Sequence, residues 1–102
     1  MRYILLIILT SVVYGVIIIS DNPADQRQST VAFLDNQYLV AWADARSYQT
    51  YQATVIYGSR VSSSGTVINP NGAVINAGNP DRLMPKVCAG SSGWLVTWHE
   101  GS

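Results

Sequence analysis

A chain of 102 residues can form one small domain, and its zero formal net charge, with 12% charged residues, excludes classes that depend on strong electrostatics. This balance predicts no basic surface, so neither nucleic acid nor anionic lipid is expected as a partner. The single cysteine, Cys88, cannot form an intrachain disulfide and is expected to be a small buried hydrophobe.

The first residues have the composition of an export segment. Met1 and Arg2 give a short positive start, residues 3–13 are apolar or weakly polar, and Gly15 stands at a suitable cleavage position. We therefore expect residues 1–15 to be a signal peptide. The alternative is that residues 3–19 stay in place as a membrane anchor, since that length is near the lower limit for crossing a bilayer. Both alternatives predict a secreted or cell-surface protein that contacts a membrane only through this segment, if it is uncleaved.

The rest of the chain predicts short antiparallel β-strands and no helix. Residues 31–34 and 38–43 are rich in β-branched and aromatic residues, and the segment between them has turn composition, so they predict a hairpin. Glycine, serine, asparagine and proline recur about every ten residues, which is typical of a sandwich, barrel or propeller. Further strands are expected at residues 53–61, 66–69 and 73–76, after a polar loop at 45–52.

The sequence aligns with itself at a shift of 56 positions, which places Trp42 on Trp98. A period near this size marks solenoids, propellers or arrays, in which one unit cannot bury its own apolar face. The shift divides the chain into a first unit at residues 16–71 and an incomplete second unit at 72–102, about one and a half units. Residues 16–19 are then expected to be the last strand of a preceding unit.

The predicted strand at residues 38–43 is apolar at every position, so it cannot have one face in water. A radial stack, in which each sheet packs between two neighbours, provides cover on both faces. Packing between sheets is therefore expected for Tyr38, Val40 and Trp42 in the first unit, and for Trp94, Val96 and Trp98 in the second.

The two stretches YLVAWADAR and IYGSRVSSSGTVINPNGAVI resemble a repeat of secreted and cell-surface proteins from bacteria and archaea. In that repeat, Tyr-Leu-Val-x-Trp-x-Asp-x-Arg precedes Ile-Tyr-Gly-x-Arg-Val and a glycine-centred turn. The second copy departs from it, with Glu100 and Ser102 at the positions of the aspartate and the arginine. The matching residues of the first copy are Tyr38, Leu39, Val40, Trp42, Asp44, Arg46, Ile56, Tyr57, Gly58, Arg60, Val61 and Gly65.

This resemblance implies an all-β fold of short antiparallel strands that form β-propeller-like blades. One and a half blades cannot close a ring, because propellers contain roughly four to eight. The chain is therefore expected to be a fragment of a longer propeller protein, or else copies of it assemble to complete the ring.

Asp44 and Arg46 are the strongest candidates for charge chemistry. They are two residues apart at a strand end, so in extended geometry they share a face and can pair with each other or with Arg60. A catalytic carboxylate would need a partner acid or base near a substrate. We favour a structural ion pair that joins a hairpin to its neighbour, with the modest stabilisation of an exposed pair.

Metal chemistry is not favoured by the sequence. His99 and Glu100 begin like a zinc-protease motif, but a second histidine is missing and the pair lies in a strand pattern. Oxygen-bearing residues near Asp25 and Asp81 could bind calcium, yet they also have the composition that tight turns require. Turn formation is the preferred interpretation, and neither a metal nor a cofactor is expected.

The most plausible ligand contacts are Tyr48 and Tyr51, because they lie in the predicted loop and loops carry function on rigid scaffolds. Sugar stacking on these rings is the hypothesis they support. The leading function is a non-catalytic scaffold for adhesion or contact with a glycan or surface protein. The alternatives are the amino-terminal piece of a propeller-fold glycan-active enzyme with its catalytic residues elsewhere, and a surface fibre that self-assembles by strand addition.

Overall fold

The computed structural model describes residues 4–9, 14–76 and 80–101. These residues form an antiparallel, almost entirely β structure, which confirms the all-β character expected from the sequence, and they do not close a ring. The elements in chain order are β1 (Ile4–Leu9), β2 (Tyr14–Ser20), β3 (Gln26–Leu34), β4 (Gln37–Asp44), α1 (Tyr48–Tyr51), β5 (Val55–Ser62), β6 (Ala73–Asn76), β7 (Arg82–Ala89) and β8 (Trp94–Glu100).

The centre of the molecule is a four-stranded sheet in the order β3-β4-β5-β6, in which every neighbouring pair is antiparallel. The hairpin expected over residues 31–43 is confirmed, with β3 beginning earlier at Gln26 because that residue still pairs with Asp44. The strands expected at 53–61 and 73–76 correspond to β5 and β6. A meander of this kind needs only short connections between sequential strands.

Two local expectations were wrong. Residues 66–69 contribute only an isolated bridge from Val67 to Val61, because the Asn69 side chain accepts a hydrogen bond from Arg60 N in place of a ladder partner. The expected loop at 45–52 contains the single-turn helix α1, which ends at Gln52 in a left-handed conformation. Four residues are too few for a helical period to appear in the sequence.

Both faces of β4 are covered, as its continuous apolar sequence predicts. One face packs against the β1–β2 hairpin in a cluster that includes Ile4, Ile19, Val40 and Trp42. On the other face, Ala41, Ala43 and Ile56 are fully buried against residues of the β7–β8 hairpin. The large side chains of β4 therefore point to the β1–β2 hairpin, and its alanines point to the β7–β8 hairpin. The central sheet is the middle one of three stacked layers. The residues of the β7–β8 hairpin in this contact are Leu83, Val87 and Trp98.

The expected export segment is described in part. Residues 4–9 form β1, which pairs with β2, whereas residues 1–3 and 10–13 of that segment lie outside the described residues. Among the described residues, no helix is both long enough and apolar enough to span a bilayer. Cleavage after Gly15 stays a prediction.

The β7–β8 hairpin reproduces details of the β3–β4 hairpin at positions 56 residues later. Each has a bulge with one left-handed residue, Gln28 (φ 59°) in β3 and Met84 (φ 51°) in β7. Met84 N donates to Gln28 Oε1 over 2.8 Å, so the two bulges are in direct contact at a separation of 56 residues. The strand ends agree as well: Ala45 N donates to the carbonyl of Asp25, and Gly101 N donates to that of Asp81.

The expectation that Cys88 is buried was wrong. Cys88 is exposed, because it lies opposite Leu95 on the face of the β7–β8 hairpin that is directed away from the central sheet. Its sequence neighbour Val87 is on the covered face and packs against the central sheet. A strand places successive side chains on opposite faces, so burial at one position implies exposure at the next wherever a hairpin is covered on one side only.

Candidate functional site

A buried carboxylate at the end of β4 is the centre of a dense polar arrangement. Asp44 is 0% exposed, and its Oδ2 accepts a hydrogen bond of 2.8 Å from Trp42 Nε1. Arg46 donates to Oδ1 from its backbone N (2.8 Å) and Nε (3.0 Å), and to Oδ2 from Nη2 (2.8 Å). Four donors therefore satisfy one carboxylate, as a charge buried away from water requires.

Strand alternation places Trp42 and Asp44 on one face of β4, since they are two residues apart. Arg46 lies in the turn after the strand, where its backbone N–H donates to Asp44 Oδ1 and so brings its side chain back to the carboxylate. The pairing of Asp44 with Arg46 agrees with the sequence interpretation, but the expected exposed environment was wrong: the side chains are 0% and 17% exposed. Arg60, the other partner considered, uses its backbone N and its Nε on Asn69.

Arg46 connects this carboxylate to β5 and to the turn before β6. Its guanidinium carbon lies 4.0 Å from the centre of the Tyr57 ring, a cation–π distance, and its Nη2 also donates to the carbonyl of Asn71 over 2.6 Å. The Tyr57 hydroxyl in turn lies 3.2 Å from Ser47 Oγ. A planar guanidinium can bind the carboxylate with two nitrogens and stack on a ring at the same time, which a lysine ammonium cannot do.

The turn at Asn71 and Gly72 fixes the other side of the arrangement. Both residues are left-handed, with φ of 61° and 81°, and a Cβ on Gly72 would lie 2.6 Å from Trp42 Cζ2. Asn71 also donates its N–H to the carbonyl of Ile19 and accepts from Asp21 N at Oδ1. We call the set Trp42, Asp44, Arg46, Tyr57 and Asn71 the carboxylate lock, because it ties β4, β5 and the β6 turn to the end of β2.

Sequence reasoning missed Asn71. An Asn-Gly pair such as Asn71-Gly72 is typical of a tight turn, but it gives no information about which side chain binds the carbonyl of that turn. Packing explains why a glycine stands at position 58, in the Ile-Tyr-Gly-x-Arg-Val stretch. An added Cβ there would lie 2.5 Å from Ile75 Cδ1 and 3.1 Å from the carbonyl oxygen of Val40.

The β7–β8 hairpin carries a looser version of the same arrangement. Trp98 Nε1 lies 3.4 Å from Glu100 Oε1, and Arg82 Nε lies 3.3 Å from that oxygen. The Glu100 side chain is 50% exposed, in contrast to the fully buried Asp44. Ser102, which stands where Arg46 does in the first copy, lies outside the described residues. Of the remaining predicted packing residues, Tyr38 packs against the β1–β2 cluster, and Trp94 and Val96 are half-buried on β8.

The residues considered as metal ligands have other partners or lie apart. The Asn22 side chain accepts from Ala24 N in a local turn, Asp25 pairs with Arg27 at 3.2 Å, and Asp81 Oδ1 accepts from Thr54 N at 2.7 Å. His99 is exposed on β8. Within residues 4–9, 14–76 and 80–101, no group of three or more histidine, cysteine, aspartate or glutamate side chains could hold a metal ion.

The tyrosines proposed as ligand contacts are on α1, directly after the lock. Tyr48 is 47% exposed, and the Tyr51 side chain lies outside what the structure describes. Ser47, the residue before α1, is the one whose hydroxyl meets Tyr57, so the start of the helix is held by the lock. The arrangement therefore presents the exposed ring of Tyr48 from a short helix that follows a buried ion pair.

No family model, curated protein or solved structure gives a significant match to this chain.

Proposed function

We propose that this chain is a non-catalytic module of stacked, blade-like β-sheets, exported from the cytoplasm, that serves as a scaffold for adhesion or ligand contact. The observation that carries the proposal is the layered core, in which the central sheet has a hairpin on each face and the β3–β4 and β7–β8 hairpins share a bulge and a register 56 residues apart. Such stacking of similar sheets is what blade repeats use to bury both faces.

The chemistry of the carboxylate lock supports a structural role over a catalytic one. All four hydrogen bonds to Asp44 come from Trp42 and Arg46, and the carboxylate is fully buried, so no oxygen faces a substrate. A general acid or base must reach the proton that it transfers. The buried pair instead fixes one geometry for the end of β4 and for the loop that follows it.

The contact surface that we propose is α1, with Tyr48 as its exposed ring and Tyr51 as its companion. A ring that is half exposed on a rigid base can stack on a sugar face at low entropic cost, because few rotamers have to be frozen on binding. Glycans of a cell surface are therefore the ligand class that we favour. Residues 1–15 supply the export signal in this proposal; a chain that keeps them has β1 in its layered core, and cleavage after Gly15 would remove β1 from that core.

The proposal is tested by binding of the purified full chain to a glycan array, with the Tyr48→Ala/Tyr51→Ala double variant beside it. We expect glycan binding by the wild-type chain and at least a tenfold loss in the variant, since each stacking contact is removed. The matched control is Ser63→Ala/Ser64→Ala in the exposed loop at the other end of β5, which should bind normally. Release of reducing sugar from the array would contradict the non-catalytic assignment, and equal binding by the tyrosine variant would remove α1 as the contact surface.

A further inference from the structure

In the described part of the chain, β8 and β1 are among the edge strands that have no neighbour on one side. The β7–β8 hairpin ends at β8, and the β1–β2 hairpin begins at β1. An unpaired edge presents a row of free N–H and C=O groups, which is a template for another strand. In the central sheet, the strand that corresponds to β8 is β4, and β4 is paired on its far side with β5.

The two hairpins contain complementary halves of the central sheet. The β7–β8 pair lies 56 residues after β3–β4 and has the same bulge, so it corresponds to the first two strands. Residues 17–20 of β2 lie 56 residues before 73–76, which are β6, so β1–β2 corresponds to the last two strands. Placed side by side, the hairpins would give the order β7-β8-β1-β2, with the same antiparallel topology as β3-β4-β5-β6.

The exposed apolar side chains agree with this arrangement. Val31 and Phe33 on β3 are each 48% exposed, although Val87, the residue 56 positions after Val31, packs against the central sheet. They are exposed because the cluster that the β1–β2 hairpin covers contains side chains of β4 and β5 and does not include Val31 or Phe33. On the outer face of the β7–β8 hairpin, Leu95 is 61% exposed beside the exposed Cys88.

We propose that a second copy of this chain adds its β1–β2 hairpin to the free edge of β8 and completes a four-stranded sheet between the two molecules. The inference rests on the proposed stacking of blade-like sheets and names its partner. Because β1–β2 already covers β4 and β5 of its own copy, the joined β7–β8 hairpin comes to lie over β3 of that copy. One contact therefore pairs both free edges and buries Leu95 of the first copy against Val31 and Phe33 of the second.

A second copy is the favoured partner because each chain supplies both hairpins of the joined sheet, β7–β8 and β1–β2. Each chain also supplies both exposed apolar surfaces, that of Leu95 and that of Val31 and Phe33. The contact joins two different surfaces, so each copy keeps one free surface of each kind, and the assembly continues into a closed ring or an open array. It requires β1, so it belongs to a chain that keeps residues 4–9 and not to one cleaved after Gly15. The packing of β7–β8 on the central sheet within one chain is the same interface, continued between molecules.

The register of the joined sheet follows from the pairs already present. Leu39 is opposite Arg60 and Ala41 is opposite Gly58 in β4–β5. Thr97 lies 56 residues after Ala41, and Ile17 lies 56 residues before Ala73. Gly58 pairs with Ala73 and Leu6 pairs with Ile17, so Leu6 takes the position of Gly58, and Thr97 falls opposite Leu6 of the second copy.

This register can be tested by disulfide cross-linking. In a Cys88→Ser background, Thr97→Cys chains mixed with Leu6→Cys chains should form a disulfide-linked heterodimer on oxidation. Val96→Cys chains, with the cysteine one residue earlier and on the opposite face, are the matched control and should cross-link at least tenfold less.

The direct test is sedimentation of the full chain, whose monomer mass is 11.1 kDa. We expect the wild type to assemble. Phe33→Lys and Leu95→Lys should each need a protein concentration at least tenfold higher than the wild type before they assemble. Each variant keeps the surface that the other lacks, so an equimolar mixture should form a dimer and stop there. Val74→Lys, on a residue of the same 48% exposure in β6, is the control and should assemble normally.

Circular dichroism of the same samples separates the two ways in which the inference can fail. A folded β-spectrum with a wild-type monomer, or with both lysine variants still assembled, would overturn the second-copy contact and leave the stacked-sheet module intact. If Phe33→Lys and Leu95→Lys each assembled alone but did not assemble with each other, the contact would be symmetric. That result would also overturn the proposed pairing of β8 in one copy with β1 in the next. A disordered wild-type spectrum would overturn the proposed function and, with it, this inference.

Discussion

Trp42 Nε1 lies 2.8 Å from Oδ2 of Asp44, two residues further along β4, and both side chains are fully buried. The ring of Trp42 therefore packs in the core under the β1–β2 hairpin, and its N–H donates a hydrogen bond to one oxygen of the buried Asp44 carboxylate. This relationship links the packing of the sheets to the carboxylate lock.

The first prediction concerns the charge of Asp44. Asp44→Asn removes the anion and leaves the guanidinium of Arg46 largely buried beside a neutral amide, so we expect a loss of about 3 kcal/mol in the free energy of unfolding. Urea denaturation followed by tryptophan fluorescence measures it. The matched control is Asp25→Asn, which breaks the exposed pair with Arg27 and should cost less than about 1 kcal/mol. Equal losses in the two variants would show that the lock does not stabilise the fold.

The second prediction separates the charge of Arg46 from its shape. Arg46→Lys keeps the positive charge but loses the two-nitrogen contact with Asp44 and the stacking on Tyr57, so we expect it to cost about 1–2 kcal/mol. Arg60→Lys, on an exposed arginine of the neighbouring strand, should stay within about 0.5 kcal/mol of the wild type. If Arg46→Lys were as stable as Arg60→Lys, charge alone would explain the pair.

The third prediction concerns Gly72, whose turn packs against the indole ring of Trp42. Gly72→Ala adds a Cβ at 2.6 Å from the Trp42 ring in a residue with φ of 81°, so both a clash and backbone strain oppose it. We expect a loss of at least about 1 kcal/mol from the strain alone, with overpacking adding to it. Thermal unfolding of Gly72→Ala and of Gly93→Ala gives the comparison, since nothing lies within 4 Å of a Cβ at position 93. An unchanged Tm for Gly72→Ala would contradict the contact.

The fourth prediction tests the flat face of the central sheet. Ala43 is fully buried against the β7–β8 hairpin, so Ala43→Leu must push the hairpin away or distort β4, at a cost of about 1–3 kcal/mol. Ala73→Leu, at an exposed position of β6, should be tolerated. Chemical denaturation of the two variants measures the difference. A tolerated leucine at position 43 would mean that the hairpin does not pack there.

Strands, turns and the two covered faces of β4 could be predicted from the sequence because they depend on local patterns. Residues 38–43 contain no polar position, and this alone required cover on both sides. The helix α1 could not be predicted, because one turn is shorter than the period that identifies a helix.

The candidate site could be predicted in its composition but not in its environment. The spacing of Asp44 and Arg46 predicted that they pair, and they do pair, with Trp42 as a further donor to the carboxylate. That the pair is buried depends on a turn 25 residues away, where Asn71 closes the lock, and a local pattern holds no information on that contact. The error at Cys88 has the same cause, since its exposure depends on which of two faces the next layer covers.

The measurement that tests the stacked-sheet account most directly is native-state amide hydrogen exchange of the full chain. Amides of β4 at residues 40–43, buried on both faces, should exchange only through global unfolding, whereas those of β8 should exchange through smaller, local openings. Slow exchange in β4 that tracks the free energy of unfolding, with faster exchange in β8, is the predicted result. Exchange in β4 as fast as in β8 would contradict a central sheet held between two hairpins.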